Sequence, residues 1–199
     1  MSGDHTHVRE FFTARAAGWD ARFPDDGRAY AGAVEALGLR SGDTVLDAGC
    51  GPGRALPALR RAVGPDGTVL GVDLTPAMLE SALRAGRDRT GLLLIADVAR
   101  LPLRSGALHA VFAAGLISHL TRPGTDLAEP ARAVRPGGRP ALFHPVGRAA
   151  LAARHGRPLT DDDQRAEANL RPVLARSGWR LDTCTDVDDR FLALATHTA

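Results

Sequence analysis

The sequence predicts a doubly wound α/β fold built on a mostly parallel sheet. Short, continuous apolar runs alternate with helix-like segments through the middle of the chain. Strands covered on both faces read this way, and parallel strands need long crossovers, usually helical. Right-handed crossovers then wind the helices onto both faces. Near the end, residues 179–198 hold two strand-like runs around Asp188 and Asp189. Strands joined that tightly must be antiparallel, so the sheet is expected to be mixed at its C-terminal end.

The elements follow in order. "TVLDAG" (44–49) is a β-branched, apolar strand. "RALPALRRAV" (54–63) puts Leu56, Leu59 and Val63 on one helical face, with Pro57 in the tolerant first turn and Gly64 as the stop. "GPDG" (64–67) is a turn and "TVLGVD" (68–73) a strand. "TPAMLESALRAG" (75–86) opens on a threonine N-cap followed by proline, then closes on glycine. "LLLIAD" (92–97) and "HAVFAAG" (109–115) are further strands. "DLAEPARAV" (126–134) reads as a helix containing Pro130. "RPGG" (135–138) is a turn before the strand "PALFH" (140–144). A last helix is expected over 161–177, with a Thr160–Asp163 capping box, a kink at Pro172 and Gly178 as its stop. Residues 1–40 read as mostly helical and collect Phe11, Phe12, Trp19, Phe23 and Tyr30.

Composition narrows the class. The 199 residues suit one domain, with 44% apolar and 24% charged residues. No apolar run approaches the roughly 20 residues of a membrane span, and no secretory signal is visible in "MSGDHTHVRE". Two cysteines, Cys50 and Cys184, suit a reducing compartment, so a cytoplasmic location is expected. The net charge of +2 is too small to suggest nucleic acid as a partner. The chain has no lysine, and its 25 basic side chains are all arginine. No metal-ligand cluster stands out.

"VLDAGCGPG" (45–53) carries the chemistry. A glycine-rich turn after a strand usually cradles phosphate. A Walker loop needs a lysine, which this chain lacks. A dinucleotide fingerprint wants glycine where Arg54 stands, and the third glycine arrives one residue early at Gly53. Asp47 argues against both: a carboxylate about 4 Å from a phosphate costs a few kcal/mol at an effective dielectric near 20. A ligand with a cationic end turns that acid into an asset. Gly49, Gly51 and Gly53 let the backbone approach such a ligand closely. Asp73 and Asp97 end the next two strands, which places three acids on the sheet edge where ligands of such folds bind.

These residues resemble the class I S-adenosylmethionine-dependent methyltransferase family over about 40–145. "VLDAGCGPG" is similar to its first motif, "VLGVDLTPAML" to its second strand and "ADVARLPL" to its third. "HAVFAAGLISHL" and "ARAVRPGGRPALFHP" match its fourth strand and its closing helix–turn–strand. The resemblance implies a Rossmann-like, seven-stranded sheet whose last strand is antiparallel, a core over 41–199 and an N-terminal helical lid over 1–40. It implies S-adenosylmethionine as cofactor, with S-adenosylhomocysteine as product. Asp47, Gly49, Cys50, Gly51 and Gly53 would hold the cofactor from the first motif. Asp73 would bind the ribose hydroxyls, with Leu74 and Met78 alongside. Asp97 and the Val98 backbone would read the adenine amino group, and Ala114 and Gly115 would lie beside the methionine part. His109 stands where the family commonly has an acid, and is read as a surface residue.

The acceptor is less constrained. No "NPPY"-like stretch, Pro-Cys pair, tandem-glutamate loop or evident magnesium-binding acid pair points to DNA-base, pyrimidine, protein-arginine or catechol methylation. A compact core with little room for a recognition domain favours a small molecule, methylated on O, N or C, with secondary metabolism as a setting. Residues 1–35 and 145–160 would shape its specificity. His119, after the fourth strand, and His144, ending the fifth, are candidate general bases. A homodimer is compatible with this reading. Two rivals stay open: a regulatory module that holds the cofactor without transferring methyl, and a nicotinamide oxidoreductase.

Overall fold

The computed structural model describes residues 5–22 and 26–198. Phe23, of the aromatic N-terminal set, and the first four residues lie outside the described residues. The N-terminal segment forms α1 (Thr6–Thr13), a 3-10 turn (Ala16–Gly18), α2 (Trp19–Arg22) and α3 (Gly27–Leu37). The alternating region then gives β1 (Thr44–Ala48), α4 (Leu56–Val63), β2 (Thr68–Asp73), α5 (Pro76–Arg84), β3 (Leu92–Ile95) and β4 (Leu108–Ala114). Next come α6 (Pro123–Asp126), α7 (Ala128–Ala133), β5 (Val134–His144), α8 (Arg148–Arg154), α9 (Glu167–Arg176), β6 (Trp179–Val187) and β7 (Arg190–His197).

One seven-stranded sheet has the order β3-β2-β1-β4-β5-β7-β6. The β1 to β5 pairings are parallel, and β7 runs antiparallel to both β5 and β6. The expected mixed sheet is therefore present. Order reverses between β1 and β4, so their C-terminal ends flank the crevice where a doubly wound sheet binds ligands.

Alternating side chains build a core on each face. Val45, Phe112, Ala141 and Phe143 join Val34 and Leu37 of α3 and Leu56 and Leu59 of α4. Leu46, Val111, Ala113 and Leu142 meet Leu170 and Leu174 of α9 and Trp179 on the other face. The Trp179 indole donates to the Leu127 carbonyl at 3.0 Å, which satisfies its polar atom inside the core. α3 is thus part of the core, whereas residues 5–22 lie elsewhere.

Several elements differ from expectation. The strand at 92–97 shortens to Leu92–Ile95 and is the sheet edge, not a strand covered on both faces. Leu92, Leu94 and Ile95 are 65%, 41% and 57% exposed. The connection from β3 to β4 has no helix, so among the described residues no crossover helix covers them. The predicted turn at 135–138 lies inside β5, where Val134 pairs with Leu108 and Arg139 with Ala110. The extra residues loop out as a bulge, with Gly137 at φ +73°.

The last helix begins at Glu167, so the capping box at Thr160–Asp163 caps nothing. Asp163 instead accepts from the Arg165 N–H at 2.8 Å, and the Asn169 amide donates to the Asp161 and Asp163 carbonyls. These local bonds compete with the first helical turn and hold 161–166 as turns. The helix at 126–134 breaks into α6 and α7, and Pro130 falls in the first turn of α7, where its missing N–H has no intrahelical role.

Phe112 lies at the centre of the β1–β4–β5 layer and is fully buried. Phe112→Ala is expected to cost about 3–5 kcal/mol of folding stability, read as a lowered urea midpoint. A loss under ~1 kcal/mol would mean that this layer is not packed as described.

Candidate cofactor and acceptor site

The site begins at the C-terminal end of β1. Asp47 is the fourth residue of that strand and 1% exposed. Its Oδ2 is buried with no hydrogen-bond partner among the described residues. Burial, reinforced by the nearby Asp73 charge, pushes its carboxyl up to about 8.

The turn that follows needs glycine. Gly49, Gly51 and Gly53 have φ of +66°, +54° and +82°, the left-handed region that side chains avoid. A Cβ on Gly49 would come within 2.9 Å of Leu116, and one on Gly53 within 2.7 Å of Leu56. Cys50 is buried between them; its N–H donates to the Val72 carbonyl at 2.9 Å. Burial raises its thiol well above the usual range, so it is inert packing rather than a nucleophile.

Asp73 ends β2 and holds the turn in place. Its Oδ2 accepts from the Gly51 N–H and its Oδ1 from the Thr75 N–H, both at 2.8 Å. Burial raises its pKa, and the Thr75 and Gly51 donors pull it back. The Thr75 hydroxyl and the Leu74 N–H also act on this carboxylate and lower its pKa further. Thr75 takes the N-cap position of α5 as expected, but its side chain makes no cap bond. Leu74 is half-buried and Met78 fully buried, with the Met78 sulfur 4.0 Å from where a Gly51 Cβ would be.

Asp97 lies two residues past β3. Its Oδ1 accepts from the Ala99 N–H at 2.9 Å, and Val98 behind it is buried. The other oxygen meets His5 Nε2 at 3.1 Å. Gly115, after Ala114 at the end of β4, donates its N–H to the Phe143 carbonyl at 2.8 Å. Asp47, Asp73, Asp97 and Gly115 therefore line one rim of the sheet.

Residues 5–22 lie across that rim. Besides the His5–Asp97 contact, Asp20 pairs with Arg87 at 2.7 Å and Arg54 at 3.4 Å, and Ser81 donates to the Ala16 carbonyl at 3.1 Å. The Phe12 ring packs edge-on to His119, centroids 4.8 Å apart, and lies 5.7 Å from Trp19. Burial lowers the His119 pKa. His144 ends β5, half-buried, with Nδ1 2.8 Å from the Val146 carbonyl. Burial, with the charges of Arg165, Arg154 and His155, holds it down to about 4. Its Cδ2 is 4.0 Å from where a Gly115 Cβ would lie. His109 is not simply a surface residue: Nδ1 accepts from the Thr44 N–H at 3.0 Å and so does an acid's work at the start of β1.

Comparison with known proteins points the same way. The methyltransferase-domain model matches residues 45–138, which run from β1 through β4 into β5. The chain resembles the class I S-adenosylmethionine-dependent methyltransferase family. It is 36% identical over 123 residues to an uncharacterised 37.1 kDa protein of a Streptomyces fradiae transposon, covering 61% of this chain and 36% of that one. It is 34% identical over 110 residues to the 27-O-demethylrifamycin SV methyltransferase of Amycolatopsis mediterranei, covering 53% and 40%. The chain thus spans about two-fifths of the length of these curated relatives. The fold is similar to a methyltransferase solved in complex with the Haloferax volcanii Trm112 methyltransferase activator. That match has a TM-score of 0.79 at 20% identity and covers 96% of this chain and 98% of the other.

The rim fits the family's cofactor. An orphaned buried carboxylate suits the ammonium end of a ligand, and Cβ atoms at Gly49 and Gly53 would crowd the turn against Leu116 and Leu56. His5, Asp20 and Arg165 take part in the rim and its surroundings but carry no motif. They come from distant segments, and only tertiary contact identifies them.

An acid held above its unfolded value of 3.8 favours folding in its neutral form. The ligand-free protein should therefore lose stability as pH rises from about 4 to about 8. Asp47→Asn should flatten that slope in a series of thermal melts. An unchanged slope would remove Asp47 as its source.

Proposed function

We propose that this chain transfers a methyl group from S-adenosylmethionine to a small-molecule acceptor. The orphaned Asp47 oxygen, set beside a glycine turn and in line with Asp73 and Asp97, carries the reading. Asp47 meets the ammonium end of the cofactor, with Gly49, Cys50, Gly51 and Gly53 giving it backbone to lie against. Asp73 accepts from the ribose hydroxyls, flanked by Leu74 and Met78. Asp97 and the Val98 backbone read the adenine amino group, and Ala114 and Gly115 border the methionine part. When bound, the cofactor supplies an electrophilic methyl on a sulfonium.

The protein's own task is to hold a nucleophile about 3 Å from that methyl and in line with sulfur. The N-terminal segment acts as the lid, excluding water where charge is neutralised. Because His5 occupies an Asp97 oxygen, cofactor entry displaces it or shares the carboxylate. His119 and His144 face the acceptor, and both stay neutral near pH 7, able to accept a hydrogen bond. The rifamycin-modifying relative supports a small-molecule acceptor and a setting in secondary metabolism. Two free thiols, Cys50 and Cys184, suit a reducing, cytoplasmic compartment. The open β3 edge, with its exposed Leu92, Leu94 and Ile95, supports association as a homodimer.

Two measurements test this. Asp73→Ala should bind S-adenosylhomocysteine about 10- to 100-fold more weakly by titration calorimetry, the scale of losing a charged hydrogen-bond acceptor. The wild-type affinity in a folded variant refutes the assignment. With labelled methyl donor, His119→Ala and His144→Ala should lower turnover about tenfold or more while leaving cofactor affinity within about twofold. Turnover unchanged in both removes the histidines from the chemistry, and no transfer to any acceptor favours a cofactor-holding module.

A further inference from the structure

Arg165 is buried, at 5% exposure, in the turns leading to α9. Its Nη2 reaches Asp163 at 3.3 Å, and its guanidinium carbon lies 5.9 Å from the Phe191 ring. Its Nε and Nη1 are buried with no acceptor among the described residues. A guanidinium cannot shed its proton to escape this, and unpaired buried charge is costly.

Phe191 is the register partner of His144 across β5 and β7. The charges of Arg165, Arg154 and His155 all act on the His144 ring. Asp163, the acid that Arg165 reaches, also lies 4.0 Å from Arg148, which pairs with Asp186 at 2.8 Å. From Arg165 the chain of neighbours runs to His144, and from there to Gly115 on the cofactor rim.

We propose that Arg165 is the anchor for an anionic oxygen group on the acceptor, a carboxylate or a phosphate, with Arg154 and His155 lining its approach. This rests on the methyltransferase reading and names the acceptor class: an anionic small molecule whose far end is pinned while its nucleophile lies near His144 and Gly115. The guanidinium's spare donors match either oxyanion. The aromatic cluster of Phe12, Trp19 and His119 makes an aromatic body the natural probe.

The test uses the full chain saturated with S-adenosylhomocysteine. Benzoate, phenyl phosphate and neutral benzamide are titrated into wild type, Arg165→Gln and the exposed control Arg104→Gln. At least one anionic probe should bind wild type tenfold or more tighter than benzamide, and the better of the two tells carboxylate from phosphate. Arg165→Gln should lose that preference and keep its affinity for S-adenosylhomocysteine, while Arg104→Gln behaves as wild type. Equal binding of all three probes to wild type overturns the proposal. So does an Arg165→Gln protein that keeps the preference, even if it melts earlier, because Arg165 is then a core support. Should Arg165→Gln not fold, exposed Arg154→Gln decides: about threefold weaker binding of the preferred anion at low salt, with benzamide unchanged, is expected, and no change overturns it. Failure of wild type to bind S-adenosylhomocysteine defeats the cofactor reading instead, so the two failures are distinct.

Discussion

Two carboxylates, Asp47 and Asp73, lie at the C-terminal ends of adjacent parallel strands and are buried within reach of each other's charge. Like charges in a poorly solvated place repel, and each must be neutralised, bonded or matched by a cation. Asp73 is bonded: two backbone N–H groups saturate one lone pair on each oxygen. One of those donors is Gly51, so the acid on β2 fixes the turn after β1. The turn reaches Asp73 with left-handed glycines at alternate positions, Gly49, Gly51 and Gly53. Asp47 has no such relief, and the folded protein keeps it largely protonated at neutral pH. Energy held in that unmet oxygen is released by a cationic ligand, which couples binding to loss of a proton.

The same logic explains why the N-terminal segment lies where it does. Asp20 places negative charge against Arg54 and Arg87, which flank the glycine turn from outside. His5 takes the free oxygen of Asp97. These are ion pairs with partly exposed members, so each contributes little on its own. Together with the packing of Phe12 and Trp19 near His119 they hold residues 5–22 against the rim. α3, by contrast, is sealed into the core by Ala33, Val34 and Leu37 and cannot move with them.

Much of the fold was legible because its signals are local. Alternating apolar strands, Pro76 after Thr75 and Gly64 after Val63 each announce an element from its own residues. The three acids were legible because each ends an apolar run. What escaped depended on context. "LLLIAD" is apolar enough for a buried strand, yet edge position is a property of sheet order, which no strand encodes alone. Thr160 and Asp163 spell a capping box, but Asp163 spends its oxygens on Arg165 and the helix starts later. His109 looked like a missing acid, and its imidazole accepts the Thr44 N–H instead. Local chemistry proposed a partner in each case, and a distant or neighbouring group supplied a different one.

The histidine chemistry follows from the same burial. A base whose conjugate acid sits at about 4 is a poor proton acceptor. Taking a proton from a phenolic hydroxyl of ordinary pKa near 10 would be uphill by about six units, or ~8 kcal/mol. His144 therefore cannot pre-ionise such an acceptor. It can accept a hydrogen bond and take the proton as methyl transfer makes the oxygen acidic. Acceleration then has to come mainly from alignment, which is where a pinned anionic end would act. An anion bound at Arg165 would also offset the positive charges that hold His144 down, raising its basicity when the acceptor arrives. Acceptor binding and base strength would then be coupled through one guanidinium, and an acceptor lacking the anion would meet both a looser grip and a weaker base.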